Sequence, residues 1–277
     1  MEFFHKSVML EECIDFLDIK PDGIYVDGTA GGAGHSKKIA EKLNTDGRLV
    51  AIDRDPDAVA VATERLSGYN AVVVKRNFSQ MREVLDELGI DKVDGVLLDL
   101  GVSSHQLDKG ERGFSYHQDA PLDMRMSQEG ISARDIVNTY SKDEIARILF
   151  EYGEEKFAWR IAENIIKERE VAPIETTFQL AEIIKNSVPA KVRREKNPCK
   201  KTFQAIRIAV NGEFEHISSG LDSAFESLKT GGRIAVITFH SLEDRLVKQK
   251  FAGWCKGCIC NPDFPQCICG RKPLAKL

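Results

Sequence analysis

The strongest constraint on the fold is the regular alternation of strand and helix patterns over the first hundred residues. The apolar, β-branched runs are "GIYVDGT", "GRLVAIDRD", "NAVVVKRNF" and "VDGVLLDLG". The amphipathic segments between them are "SKKIAEKL", "PDAVAVATERL" and "SQMREVLDELG". Short β-rich runs that alternate with amphipathic helices predict an α/β fold, in which helices cover both faces of a parallel sheet.

The pattern changes after Gln106. The polar, glycine-bearing stretch "DKGERGFSYHQDAPLDMRM" predicts a long functional loop. Only helical patterns follow it, one of them opened by a capping box in which Ser141 precedes Glu144 by three residues. Residues 203–232 again form a helical pattern, and "RIAVITFHS" predicts a last strand that ends near His240. We therefore expect an all-helical insertion, residues 108–201, within a discontinuous α/β domain formed by 1–107 and 202–277.

Composition and charge exclude several classes of protein. The chain has 277 residues, of which 42% are hydrophobic and 30% are charged, as in soluble globular proteins. Its apolar runs are too short to cross a bilayer, and "MEFFHKSVMLEE" lacks the features of a signal peptide. A cytoplasmic location is the expectation.

One short stretch departs from the acidic average. The net charge is −4, which gives no global attraction to nucleic acid. Yet "KVRREKNPCKK", residues 191–201, holds six basic residues and one acid. The stretch is either a solvated loop or a contact for backbone phosphates.

Five of the seven cysteines lie close together near the C-terminus, at Cys255, Cys258, Cys260, Cys267 and Cys269. A reducing compartment argues against disulfides, and four thiolates could hold zinc tetrahedrally. The spacing is not one of the common zinc patterns, so the sequence assigns no metal ligand.

The turn "DGTAGGAGHS" joins the first strand pattern to a helix through four glycines, which lets a ligand approach bare backbone. A P-loop is excluded because Gly34-His35-Ser36 lacks the lysine, and the glycines do not have dinucleotide-binding spacing. S-adenosylmethionine remains, because it has no pyrophosphate and Asp27 at the strand end could meet its ammonium group.

Polar or aromatic residues end the next strand patterns. Asp53 can accept hydrogen bonds from two ribose hydroxyls, and Asn77 and Phe78 suit the edge and face of adenine. Asp99 would lie beside the reactive methyl group. Each residue alone could be an ordinary cap or core residue, but together on one sheet edge they indicate a ligand site.

The chain resembles the bacterial 16S ribosomal RNA (cytosine-N4)-methyltransferase family from His5 to Arg245. The matching stretches are "HKSVML", "DGTAGGAGHS", "AIDRDPDA", "LLDLGVSSHQLD", "ERGFS", "PLDMRM", "YGEE", "TFQAIRI" and "TFHSLEDR". The resemblance implies a Rossmann-like class I S-adenosylmethionine-dependent methyltransferase fold with a helical insertion that recognises RNA. It also implies methyl transfer to the N4 amine of a cytidine in 16S rRNA of the small ribosomal subunit, with no membrane or DNA partner. Two alternatives remain: a methyltransferase acting on a protein amine or small molecule, and a non-enzymatic ribosome-assembly factor.

By this resemblance, cofactor contacts fall on Ala33, Gly34, His35, Asp53, Phe78, Asp99 and Gln106. "AGH" stands where many members have "GGH", so we expect a negative φ at Ala33. Family members generally continue beyond the position of Leu277 with a basic segment, and the family requires no metal.

Two residues are candidates for the chemistry. Asp99 would be catalytic by accepting a hydrogen bond from the cytosine amine. His240 would be a proton acceptor or base contact, or a purely structural histidine.

The long loop is predicted to hold an unstacked base through four of its residues, unless it only closes over the cofactor. The four are Arg112, Phe114, Tyr116 and Arg125.

Overall fold

A computed structural model describes residues 7–103, 106–107, 109–261 and 265–277. Five residues of the matching motifs therefore lie outside the described residues: His5, Lys6, Ser104, His105 and Asp108.

Five parallel strands form the sheet, in the order β3-β2-β1-β4-β5. They are β1 (Ile24–Asp27), β2 (Arg48–Asp53), β3 (Ala71–Lys75), β4 (Val93–Asp99) and β5 (Leu228–Ile237). Because the strands are parallel, their carboxyl ends share one edge, and the order reverses between β1 and β4. Ligands bind at such a switch point in open α/β sheets. The predicted parallel α/β fold is confirmed.

Helices cover both faces of the sheet. They are α1 (Leu10–Leu17), α2 (Gly34–Lys42), α3 (Pro56–Arg65), α4 (Met81–Glu87), α11 (Glu213–Ser227) and α12 (Ser241–Cys255). One apolar cluster joins α1 and α2 to the sheet, and a second joins α4 and α11 to its other face. The start of α3 follows from its sequence, since Asp55 accepts a hydrogen bond from the amide of Asp57 and Pro56 occupies the first turn.

Between β4 and α11 the described chain folds as helices with their own apolar cluster. They are α5 (Ala133–Thr139), α6 (Lys142–Gly153), α7 (Ala158–Val171), α8 (Thr177–Ser187), α9 (Ala190–Glu195) and α10 (Cys199–Asn211). The predicted capping box of Ser141 and Glu144 begins α6. The predicted boundary at residue 201 falls inside α10, whose Phe203 and Ile206 belong to the helical cluster. The division into domains stays a prediction.

Two element predictions are wrong in part. The segment predicted as helical, residues 203–232, is helical only as far as residue 227 and forms two helices: α10 ends before Gly212, which has φ 57°, and α11 ends before Leu228. Glycine adopts this left-handed conformation at little cost and commonly ends helices. The last strand begins at Leu228 and ends at Ile237, so His240 lies beyond it. The basic stretch, for which a solvated loop is one of two interpretations, contains a short helix, α9.

No helix within the described ranges is both long enough and apolar enough to span a membrane.

Candidate cofactor-binding site

A cavity of about 410 Å³ opens at the carboxyl ends of β1, β2 and β4. Its lining includes six of the seven predicted cofactor residues: Gly34, His35, Asp53, Phe78, Asp99 and Gln106. The sheet therefore brings these residues together, as the strand-end argument predicts.

The glycine-rich turn is held by backbone hydrogen bonds to both neighbouring strands. The amide of Gly28 donates to Leu97 O at 2.9 Å, and the amide of Ala30 donates to Ile52 O at 3.0 Å. A Cβ on Gly28 would lie 2.5 Å from Leu98 Cδ2, and one on Gly34 would collide with Ser7 Oγ. Glycine at these positions lets the turn pack closely against its neighbours.

Ala33, the seventh predicted cofactor residue, is not part of the cavity lining given by the described residues. Its φ is +59°, so the expected negative φ is wrong. The residue turns the chain into α2, and its amide donates to Ala30 O at 2.6 Å. A left-handed alanine costs about 1–2 kcal/mol, which the surrounding turn has to offset.

Asp53 fixes the turn and faces the cavity at the same time. Its Oδ2 accepts from the amide of Gly31 at 2.7 Å, and its Oδ1 accepts from the amide of Asp55 at 2.8 Å. Burial raises the pKa of Asp53 to about 6. A carboxylate has about four acceptor positions, so Asp53 retains capacity for two hydroxyl donors.

Asp99 ends β4 with one oxygen that has no hydrogen-bond partner. That oxygen, Oδ1, is buried, while Oδ2 lies 3.7 Å from Nδ1 of His35. Burial raises the pKa of Asp99 to about 6, and His35 opposes this shift. A buried acceptor without a partner is costly, so the geometry suits a ligand that brings a donor.

The predicted contact of Asp27 with a ligand is wrong. Asp27 is fully buried and does not line the cavity among the described residues. Its carboxylate accepts from Ser36 Oγ at 2.5 Å and from the amide of Thr29 at 3.1 Å. These bonds join β1 to α2, so Asp27 stabilises the glycine-rich turn from the protein interior.

Phe78 and Asn77 have different positions. Phe78 lines the cavity and packs against Gly220 of α11, where a Cβ would collide with the ring. Asn77 is absent from the lining formed by the described residues, and its side-chain oxygen accepts from the amide of Ser79 at 2.9 Å.

Asp55 is buried and binds two side chains, a role that the sequence does not predict. Its Oδ2 accepts from Gln106 Nε2 at 2.7 Å and from the guanidinium of Arg112 at 3.1 Å. Gln106 Oε1 accepts in turn from the amide of Ser103 at 3.0 Å. The sequence signal for Asp55 is the second acid in "AIDRDPDA", but an acid at this position is also typical of an ordinary helix cap.

This network corrects the role predicted for the long loop. Arg112 also donates to the carbonyls of Arg125 and Met126, which leaves it no exposed phosphate-binding face. Phe114 is buried in the helical cluster, so it cannot stack on an RNA base.

The other two predicted loop contacts are also occupied within the chain. Tyr116 packs edge-on against Phe203, with 5.3 Å between ring centroids, and Arg125 pairs with Asp123 at 2.7 Å.

His240 is placed as the N-cap of α12 and does not line the cavity among the described residues. Its Nδ1 accepts from the amide of Glu243 at 3.4 Å, and its Nε2 lies 3.0 Å from Glu243 Oε1. This geometry favours a purely structural role for His240.

A second ion pair was also missed. Arg207 donates to both carboxylate oxygens of Glu213, at 2.8 and 2.7 Å, and both residues line the cavity. Arg207 belongs to the matching stretch "TFQAIRI" and Glu213 follows it, but their pairing across two helices is not visible in the sequence.

The parallel sheet, the glycine-rich turn after β1 and the acids that end β2 and β4 define a Rossmann-like α/β fold with a ligand site at the switch point. A match to a methylase family makes the protein a class I methyltransferase, and its cofactor is S-adenosylmethionine.

Sequence comparison defines the family. Residues 2–277 match the MraW methylase family, and the chain belongs to it. The chain is 56% identical to "Ribosomal RNA small subunit methyltransferase H" of Lachnospira eligens, over 100% of this chain and 89% of that protein. It is 53% identical to the protein of the same name from Clostridium botulinum strain Kyoto, over 100% and 90%.

Proposed function

We propose that this methyltransferase transfers a methyl group from S-adenosylmethionine to the exocyclic N4 amine of a specific cytidine in 16S rRNA of the small ribosomal subunit. The names of relatives at 53–56% identity support small-subunit ribosomal RNA as the substrate. The unpartnered carboxylate oxygen of Asp99, at the cavity, supports an amine as the acceptor.

The proposed cofactor-site residues are the seven predicted from the sequence. Asp53 accepts from the ribose hydroxyls, and Phe78 forms a wall for the adenine. The backbone of Gly34, with His35, borders the methionine portion, and Ala33 acts through the turn that leads into α2. Gln106 acts mainly by binding Asp55 and the backbone of Ser103, because both ends of its amide are bonded within the chain.

Asp99 is the proposed catalytic residue. The cytosine amine is a weak nucleophile because its lone pair is delocalised into the ring. A carboxylate that accepts one of its N–H groups holds the nitrogen in line with the sulfonium methyl and increases its electron density. In the methyl transfer that S-adenosylmethionine would supply, the N4 nitrogen would gain the methyl group, S-adenosylhomocysteine would leave, and the cationic amine would then give its proton to solvent water. The ionised Asp99 stabilises that charge before the proton leaves.

The helical segment 108–201 is the proposed RNA-recognition domain. Its basic stretch exposes Arg193, Arg194 and Lys196, none of which has an ion-pair partner among the described residues. The acidic chain needs such a local surface to receive a polyanion. The target base would leave its stack to reach the cavity.

The decisive experiment maps the methylated atom. Purified protein is incubated with S-adenosylmethionine carrying a labelled methyl group and with small ribosomal subunits or naked 16S transcript. The RNA is then digested and its nucleosides are analysed by mass spectrometry. We expect label in N4-methylcytidine at one position. Label at another atom or nucleotide would reject the cytosine-N4 assignment, and label on ribosomal protein would favour a protein amine as the substrate.

Asp99→Ala tests the catalytic assignment. We expect turnover to fall by a larger factor than cofactor affinity, because the lost interaction acts on the amine in the transition state. Equal losses in both quantities would assign Asp99 to cofactor binding alone.

A further inference from the structure

We propose that the C-terminal segment binds one zinc ion through the thiolates of Cys258, Cys260, Cys267 and Cys269. The four Sγ atoms lie within 4.8 Å of one another, and Cys255 is not part of the group. None of the four lines the cofactor cavity outlined by the described residues. The proposal is therefore independent of the catalytic function.

The sulfur positions match the geometry of a single tetrahedral ion. Zn–S bonds of about 2.3 Å give a tetrahedron with Sγ–Sγ edges of about 3.8 Å. The Sγ atoms of Cys267 and Cys269 are 3.5 Å apart, those of Cys258 and Cys269 are 3.8 Å apart, and those of Cys260 and Cys267 are 4.0 Å apart. Thiolates crowded to this distance repel one another unless a cation lies between them.

Backbone amides support the sulfurs from outside. Cys260 Sγ accepts from the amides of Ile268 and Cys269, each at 3.3 Å, and Cys258 Sγ accepts from the amide of Cys260 at 3.4 Å. Hydrogen bonds of this kind orient metal ligands and stabilise their negative charge. The two C-x-C pairs are thus held in contact by the backbone as well as by their sulfurs.

Among the described residues around the cysteines, the larger apolar side chains do not form a core. The side chains of Ile259, Ile268 and Leu274 are 54%, 76% and 62% exposed. Small segments without a core need a metal, a disulfide or a partner to fix their structure. Here the chain nevertheless returns to α12, where the amide of Leu274 donates to Trp254 O at 2.8 Å. A metal ion supplies the missing cross-link.

The chemistry of the ligands selects the metal. Four thiolates in a tetrahedron favour zinc or iron over calcium and magnesium, and zinc is the redox-inert choice for a structural role. Binding requires four thiolates, so it releases protons and couples to the folding of the segment.

The test measures metal content in the full-length protein purified under reducing conditions. Elemental analysis should give about one zinc per chain for the parent protein. After zinc is removed with a chelator, added Zn²⁺ should rebind with this stoichiometry. Added Co²⁺ should give the intense thiolate-to-metal absorption and the visible bands of a tetrahedral site.

Matched serine variants locate the ligands. Cys260→Ser and Cys269→Ser should each lower zinc content and affinity at least tenfold, whereas Cys255→Ser should retain full zinc. Affinity for S-adenosylmethionine, measured by calorimetry, shows that each variant is folded, because the cysteines lie outside the cavity.

Any one of four results would overturn the proposal: a reduced protein that binds no Zn²⁺ on titration, equal zinc loss in Cys255→Ser and Cys260→Ser, native disulfides among the four cysteines, or iron in place of zinc after anaerobic purification.

Discussion

Nδ1 of His35 lies 3.7 Å from Oδ2 of Asp99, while Nε2 of the same ring lies 3.1 Å from the carbonyl oxygen of Val8. A carbonyl only accepts hydrogen bonds, so Nε2 carries a proton and Nδ1 faces the acid. The side chain at the start of α2 is thereby linked to the acid that ends β4. This contact joins the glycine-rich turn to the proposed catalytic residue.

The first prediction is a loss of turnover in acid. Burial raises the pKa of Asp99 to about 6, so the carboxylate is ionised above that pH and becomes protonated below it. The ionised form accepts charge-assisted hydrogen bonds through both oxygens, whereas protonation removes the charge and makes one oxygen a donor. At saturating cofactor, kcat should be level near neutral pH and fall below about pH 6.

His35→Gln should move this acidic limb to higher pH. A charged His35 lowers the pKa of Asp99 through its positive charge, so its removal leaves burial and the nearby acids Asp27 and Glu243 unopposed. The measurement is kcat between pH 5 and 8 with cofactor and RNA saturating. An unchanged limb in the variant would show that His35 does not influence the titration of the reacting group.

The second prediction concerns the ribose contact of Asp53. Asp53→Ala removes a charged acceptor of two hydroxyls, an interaction worth about 1.5–3 kcal/mol, or about 10- to 150-fold in affinity. Calorimetric titration with S-adenosylmethionine measures it. Asp46→Ala, which changes an exposed acid, is the control and should bind normally. Parent-like affinity in Asp53→Ala would remove this residue from the cofactor site.

The third prediction uses two helical glycines. Gly220→Ala places a methyl group against the Phe78 ring, whereas Gly253→Ala meets no atom within 4 Å. Both changes improve helix propensity by a similar amount, up to about 1 kcal/mol. We expect Gly253→Ala to match or exceed the parent in thermal stability, and Gly220→Ala to bind the cofactor several-fold more weakly because the ring is displaced.

The decisive quantity is therefore the difference in cofactor affinity between Gly220→Ala and Gly253→Ala. Equal cofactor affinities would show that the position of Phe78 is unimportant for binding, and the proposed adenine wall would have to be formed by other residues.

The sequence predicts the sheet edge well because strand ends are local features. The apolar runs show where each strand ends, and parallel strands place their last residues, Asp53 and Asp99, on one edge of the sheet. The sequence therefore predicts that both residues line one cavity, as they do. Side-chain direction is harder to predict. Asp27 ends a strand in the same way, yet its carboxylate is satisfied by Ser36 and lies beneath the turn.

Long-range pairs could not be predicted at all. Arg112 reads as an exposed basic residue of a polar loop, but its partner Asp55 is 57 positions away and buried. The left-handed φ of Ala33 is similarly invisible, because alanine carries no local signal for that conformation. Such contacts depend on how the helical segment packs over the sheet. Local sequence patterns carry no information about that packing.

The last prediction concerns how RNA is held. Arg193, Arg194 and Lys196 are exposed at and just after α9. Changing all three to glutamate should weaken binding to 16S rRNA and flatten its salt dependence. Each lost phosphate contact should change the slope of log affinity against log salt by about 0.7–0.9. Cofactor affinity should not change.

A matched reversal separates a docking surface from a general charge effect. Lys142, Lys156 and Arg160 are also exposed, and changing them to glutamate alters the net charge by the same six units. If α9 receives the RNA, the first triple variant should lose affinity and slope while the second loses much less, since distant charges are screened within about 10 Å at 0.1 M salt. Equal effects would mean that only net charge matters. An unchanged slope in the α9 variant would place RNA docking elsewhere on the protein.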